Sequence, residues 1–366
     1  MGSTPDPCSD PGTPKISLGT TGLGFVGVSG KFWLRNIATL AAGLIFVALV
    51  CRRLNYRTTI ELLKRMSLPM LALSAAALFI FYFLRAVRWA IILRGKVGIL
   101  ALFMYSSVGY LVSSVAPMQS GELVKPALVR ARHGLPYFAT AASVVVERLL
   151  DVATLLLLGT VAYFTLPTHE LGPVWVATSL KTGCLLCVIG FLILILGSRW
   201  ADKISRIVSN VLSHLGLPTH FTGWISEVLR TFLHGAHGAL SPINLCYALL
   251  CSITLWVANA ASVAIIFLAV HGHVSSISTF LLGFSVLSLG LAIPLTPGYI
   301  GQYEGLWLVV FVGLHIAQDK DALTICLICH GLILLTIALF GLLGLGYLWL
   351  SNRSNGSSSE NPVPSL

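Results

Sequence analysis

Charge is scarce in this chain. Lys and Arg number 23 and Asp and Glu 13 among 366 residues, so 10% of positions are charged, against about 25% in a soluble domain. With 56% hydrophobic residues and a mean hydropathy of +0.88, that scarcity excludes a water-soluble globular fold and leaves a polytopic membrane protein. The N-terminal MGSTPDPCSDPGTPKISLGTTGLGFVGVSG lacks a basic start, an apolar core and a small-residue cleavage site, which argues against a removable signal peptide. No Gly-x-Ser-x-Gly nucleophile motif and no ATP-binding motif occur. The pairs His234/His237 and His271/His273 lack acidic or Cys companions at ligand spacing, so no metal is expected. Seven of the eight cysteines lie in or beside apolar segments and read as small buried residues, not disulfides. The segment CLICH, Cys326 to His330, matches the c-type haem pattern literally. Inside an apolar run it reads as part of a packed helix, and no cofactor is expected.

The net charge of +10 fits basic loops against anionic headgroups. No basic face interleaved with aromatics points to nucleic acid.

What the chain does have is long apolar runs. A membrane-spanning helix needs about 20 mostly apolar residues, and six stretches qualify, at 33–51, 69–93, 143–166, 174–198, 243–270 and 322–350. Two further regions, 98–140 and 276–317, are apolar but broken. Each runs from a Ser/Gly-dotted helix through a proline break and a Gly–Glu or Gly-x-x-Glu step into a second helix. The first break holds Pro117 and Gly121, the second Pro294, Pro297, Gly298 and Gly301. Broken backbone at membrane depth is tolerated only where it is buried in protein or faces water. The second arm of the later region, LWLVVFVGLHIA, has 12 residues, about 18 Å of helix against a ~30 Å core. The expected fold is therefore all-α, with about six full spans and two re-entrant helical hairpins that form a weak internal repeat. Such repeats in transporters frame a central site.

Residues 1–31 read as a flexible N-terminal segment, 32–350 as the membrane domain and 351–366 as a disordered tail. Within the domain, 199–240 is amphipathic. Ile204, Ile207, Val208, Val211 and Leu215 share one helical face, and Phe221, Trp224, Ile225, Val228 and Phe232 share another. With Arg199, Lys203, Arg206 and Arg230, this reads as a basic helical pair on the cytoplasmic membrane surface. The loops at 167–173 and 318–322 then face outside. The basic segment 52–65 draws the N-terminal half toward the cytoplasm, whereas an even membrane count around a re-entrant first hairpin would put that segment outside.

The few intramembrane charges cluster, as residues lining a cavity or paired with one another do. Arg85 and Arg88 share a helix face, Glu122 and Lys125 open the helix after the first break, and Arg130 follows. VVVERLLD adds Glu147, Arg148 and Asp151, while Glu304 stands alone in the second hairpin. Arg and Lys here would recognise a phosphate, helped by the helix starts at Ser120–Gly121 and Gly301–Tyr303. The competing reading is that the charges only lock helices together. Asn259 reads as an interhelical hydrogen bond.

Three segments taken in order, PMQSGELVKPALVRARHG from Pro117, ASVVVERLLD from Ala142 and PLTPGYIGQYEG from Pro294, resemble the lysylphosphatidylglycerol synthase transmembrane-region family, or flippase-like domain family. Arg88–Trp89 also fits, and the likeness covers roughly 35–350. It departs from the family pattern at Lys125, usually Arg, at Ser113 and Ser114, where Asn often stands, and at Pro126, which is expected to kink its helix. The resemblance implies a module that moves lipid between leaflets. The synthetase domain of two-domain members does not follow, so lipid aminoacylation is not expected of this chain. Implied partners are membrane lipids, either an anionic or aminoacylated phospholipid or a polyprenyl/isoprenoid-linked lipid, together with a homodimer partner and a separate lipid-modifying enzyme. A bacterial cytoplasmic membrane is the implied location. A lipid flippase is thus the leading expectation. An intramembrane transferase with Glu122 or Glu304 as its carboxylate is the alternative, and a structural membrane subunit the third.

Overall fold

A computed structural model of the chain describes residues 60, 64, 66–116, 120–166, 174–272, 276–317 and 319–357. Among the described residues the regular structure is helical throughout. Eleven α-helices follow in order: α1 Leu68–Ile92, α2 Ile99–Val115, α3 Gly121–His133, α4 Tyr137–Phe164, α5 Val174–Arg199, α6 Ala201–His214, α7 Thr219–Ala239, α8 Pro242–His271, α9 Ile277–Gly290, α10 Gln302–Trp307 and α11 Asp319–Ser357. A 3-10 turn, Pro297–Tyr299, precedes α10, and a π turn, Leu308–Val312, follows it.

Four helices, α1, α5, α8 and α11, are long and apolar enough to cross a membrane, so this is a multi-pass integral membrane protein. The expected span at 33–51, the N-terminal segment and, apart from residues 60 and 64, the basic segment at 52–65 lie outside the described residues. The expected span at 143–166 is α4, which has the length, 28 residues, but carries Glu147, Arg148 and Asp151 at mid-helix.

Helices approach closely where the sequence supplies small or hydroxyl residues, as association inside lipid requires. Along α1 and α8, Ser74 and Ser262 exchange hydroxyl-to-carbonyl hydrogen bonds of 2.9 and 3.0 Å. Gly341 and Gly344 of α11 admit Leu111, Val108 and the Met104 carbonyl of α2. Aromatic stacks run through the interior. Trp307 and Phe311 stack with centroids 4.1 Å apart, and Phe267 lies 5.6 Å from Phe311.

Both broken regions double back on themselves. In the first, Gly109 of α2 lies against Gly121 and Lys125 of α3, with no room for a Cβ on either glycine. Pro126 sits inside α3 yet does not end it. The helix runs on to His133, and Gly134 caps it with φ of 68°. In the second, Gly290 faces Leu306, and Gly283 faces Val310 and Leu314. The second arm, Gln302–Val312, is a short apolar helix of about 16 Å. The two breaks meet, with the Ser114 carbonyl 3.2 Å from the place a Cβ would occupy on Gly298.

The amphipathic segment forms α6 and α7. Ile207, Val211, Leu215, Phe221 and Trp224 are exposed, while Leu233 and Ala236 are buried and Gly235 packs on Ala139 of α4.

Candidate functional site

Helical spacing makes the charged cluster. Arg85 and Arg88 lie one turn apart on α1, and Glu147, Arg148 and Asp151 on facing turns of α4. Arg88, fully buried, donates to Asp151 Oδ1 at 2.6 Å and to Ser252 of α8 at 2.9 Å, and it reaches Glu147 at 3.5 Å. Arg85 donates to Asp151 Oδ2 at 3.3 Å, and the Trp256 indole N–H to Oδ1 at 3.1 Å. The close approach of α2 and α3 drives Lys125 inward. Its Nζ donates to Glu122 at 3.0 Å and Glu147 at 3.1 Å and sits 4.8 Å from the Trp89 ring centre. Arg148 lies 3.3 Å from Glu122 and 3.5 Å from Asp151.

Four cations, Arg85, Arg88, Lys125 and Arg148, thus face three carboxylates, Glu122, Glu147 and Asp151, leaving one net positive charge. Donors are left over as well. The ion pairs of Arg148 are not aligned hydrogen bonds, and its Nε and Nη2, like Arg85 Nε, have no acceptor. A buried guanidinium N–H without a partner is costly, and both of these arginines line a cavity whose chemistry suits an anionic ligand.

That cavity exists, with a volume of about 360 Å3, within the ~300–1,000 Å3 typical of ligand sites. Arg85, Glu122, Arg148 and Asp151 form a charged wall, and Leu78, Leu155, Phe284, Leu287, Ile333 and Ile337 supply apolar ones. Of the residues expected at the site, these four charged groups and Gly298 line it directly. Arg88, Lys125 and Glu147 lie behind the wall and hold it. Arg130 is not brought in. It is exposed on the last turn of α3, off the face that carries Lys125 and Val129 inward. Pro117 lies outside the described residues.

Glu304 is not alone. Its Oε1 lies 2.6 Å from Nδ1 of His330 on α11, and its Oε2 accepts the Gly301 N–H at 2.8 Å. The start of α10 is therefore occupied by its own carboxylate and is not open to a substrate anion, contrary to the sequence expectation. His330, which the sequence places only in a packed apolar helix, lines the cavity, as do Tyr110 and Trp256. Asn259 also lines it, a cavity position in place of the interhelical bond expected. An ionisable residue in an apolar helix was the one signal available for His330; its partner lies 26 positions away.

The sequence model of one family, described as Lysylphosphatidylglycerol synthase TM region, matches residues 36–341. The chain belongs to this family. The match spans the whole charged cluster of this lysylphosphatidylglycerol synthase TM region and both broken hairpins. A similar curated protein is Glycosyltransferase AglD of Haloferax volcanii, 24% identical over 332 residues, 80% of this chain and 51% of that protein. The chain therefore spans about half the length of that relative. No solved structure matches.

Proposed function

We propose that this protein moves an anionic lipid, a phospholipid or an isoprenoid-linked phosphate, between membrane leaflets through the cavity. The observation that carries the reading is the surplus positive charge of the cluster that forms and backs the charged wall, beside apolar walls. One phosphodiester would neutralise the surplus positive charge and accept from Arg85 and Arg148, while the apolar walls would take the first part of the chain. In this reading the two hairpins are re-entrant, about six spans surround them, and α6 and α7 lie on the cytoplasmic surface, where basic residues favour anionic headgroups.

The test is leaflet exchange of labelled lipid in vesicles containing purified protein. Exchange faster than in protein-free vesicles supports the reading, and no acceleration by folded protein for either lipid class removes it. A relative named a glycosyltransferase favours a second reading, a transferase acting on a lipid-linked donor. There Glu122→Gln or Glu304→Gln would end product formation while lipid binding persists.

A further inference from the structure

The second hairpin break holds a hydrogen-bond arrangement that the charged wall does not need. His330 Nε2 lies 2.9 Å from the carbonyl of Gly298. A carbonyl only accepts, so Nε2 carries a hydrogen. On the other side, Nδ1 faces Glu304 Oε1 at 2.6 Å, while Glu304 Oε2 accepts from the Gly301 N–H. Nδ1 and Oε1 cannot both be lone pairs at that distance. Either Nδ1–H donates to a carboxylate or a carboxylic acid donates to neutral Nδ1. Both forms hold one proton more than a neutral imidazole beside a carboxylate.

We propose that Glu304 and His330 form a proton-binding site that clamps the second break, and that release of this proton loosens it. The clamp acts on strained backbone. Gly298, Tyr299 and Gly301 have φ of 58°, 58° and 82°, and a left-handed tyrosine persists only when its surroundings hold it. The pair donates to the Gly298 carbonyl and accepts from the Gly301 N–H, gripping both ends of that segment. Without the shared proton, two acceptors confront each other and one contact must open.

The other titratable groups nearby do not carry this proton. From α10, Tyr303 stacks on the imidazole at 4.5 Å. From α11 come the buried thiols of Cys326 and Cys329. These phenol and thiol groups are neutral at physiological pH. Across the cavity, Arg85, Glu122, Arg148 and Asp151 pair with one another or with Arg88 and Lys125. His330 and Glu304 are both buried, and His330 alone of the two opens on the cavity, which gives the proton its route. The site stands on its own geometry; its service to lipid movement rests on the flippase reading.

The sign follows from linkage. The clamped state binds the extra proton and the loosened state does not, so the clamp holds on the acid side and fails as pH rises. Each pH unit raises the ratio of loosened to clamped molecules about tenfold, so the loosened population climbs toward the transition and saturates beyond it. Hydrogen exchange of the 298–305 backbone in the full-length protein, read against 255–267 of α8 in the same sample, measures this directly. The wild-type ratio should rise about tenfold per pH unit on the acid side of the transition and level off above it.

In Glu304→Gln, the carboxamide can donate to neutral Nδ1 and still accept from Gly301, so the ratio should stay flat while the break remains closed. If that variant fails to fold, His330→Gln, which removes the imidazole from the pair, should also be flat. A wild-type ratio that does not change with pH, or variants that follow it in parallel, would overturn the proposal. In vesicles, a pH gradient should alter lipid exchange by the wild type and not by Glu304→Gln. Absence of any lipid exchange would remove the flippase reading and leave the exchange result standing.

Discussion

Arg88 is fully buried and stays charged because Asp151, Glu147 and Ser252 surround it. Removing one member of such a set strands the others in low dielectric, at a cost of about 3–5 kcal/mol. Arg88→Met should therefore lower the unfolding temperature sharply, seen by thermal denaturation of the detergent-purified protein. Arg148 differs, with a side chain 34% exposed and no aligned bond. Arg148→Ala should leave stability within about 1 kcal/mol. It should slow lipid exchange roughly tenfold to a hundredfold, the loss of one charge-assisted bond of about 1.5–3 kcal/mol.

At this scale the sequence was most legible where spacing is helical. Arg85, Arg88, Glu147, Arg148 and Asp151 could be placed on faces by periodicity. The pairing of Glu304 with His330 could not, because it crosses between helices, and no periodic signal reports which turns of two helices meet.

Among the elements, the two broken regions matter most. Their Pro/Gly breaks were legible, and the chain doubles back at both. Arg130 was misjudged because proximity in sequence to Lys125 says nothing about which face of α3 the neighbouring helices cover. Pro126 was expected to kink α3, and the helix continues through it. The glycines carry the tight contacts. A Cβ on Gly109 would sit 2.9 Å from the Gly121 carbonyl oxygen and from Lys125 Cγ, so Gly109→Ala should force α2 and α3 apart and displace Lys125. The expected loss is about 1–3 kcal/mol, with lipid exchange reduced as well. Gly346 of α11 meets nothing within 4 Å, and Gly346→Ala should be neutral or stabilising by up to about 1 kcal/mol. Unfolding temperatures of the two variants, measured side by side, check the pair.

For the whole molecule, composition and apolar run length gave an all-helical membrane protein, and α1, α5, α8 and α11 bear it out. The cavity was foreseen only as a cluster of charges, since its apolar walls come from α1, α4, α9 and α11, which no local pattern brings together. Its mixed lining is the ground for reading the protein as a lipid carrier. The most direct measurement is leaflet exchange of a labelled anionic phospholipid in vesicles containing wild type, Glu122→Gln or Arg148→Ala. The account predicts faster exchange than in protein-free vesicles for wild type and strongly reduced exchange for both folded variants. Wild-type exchange that neither variant slows would contradict it.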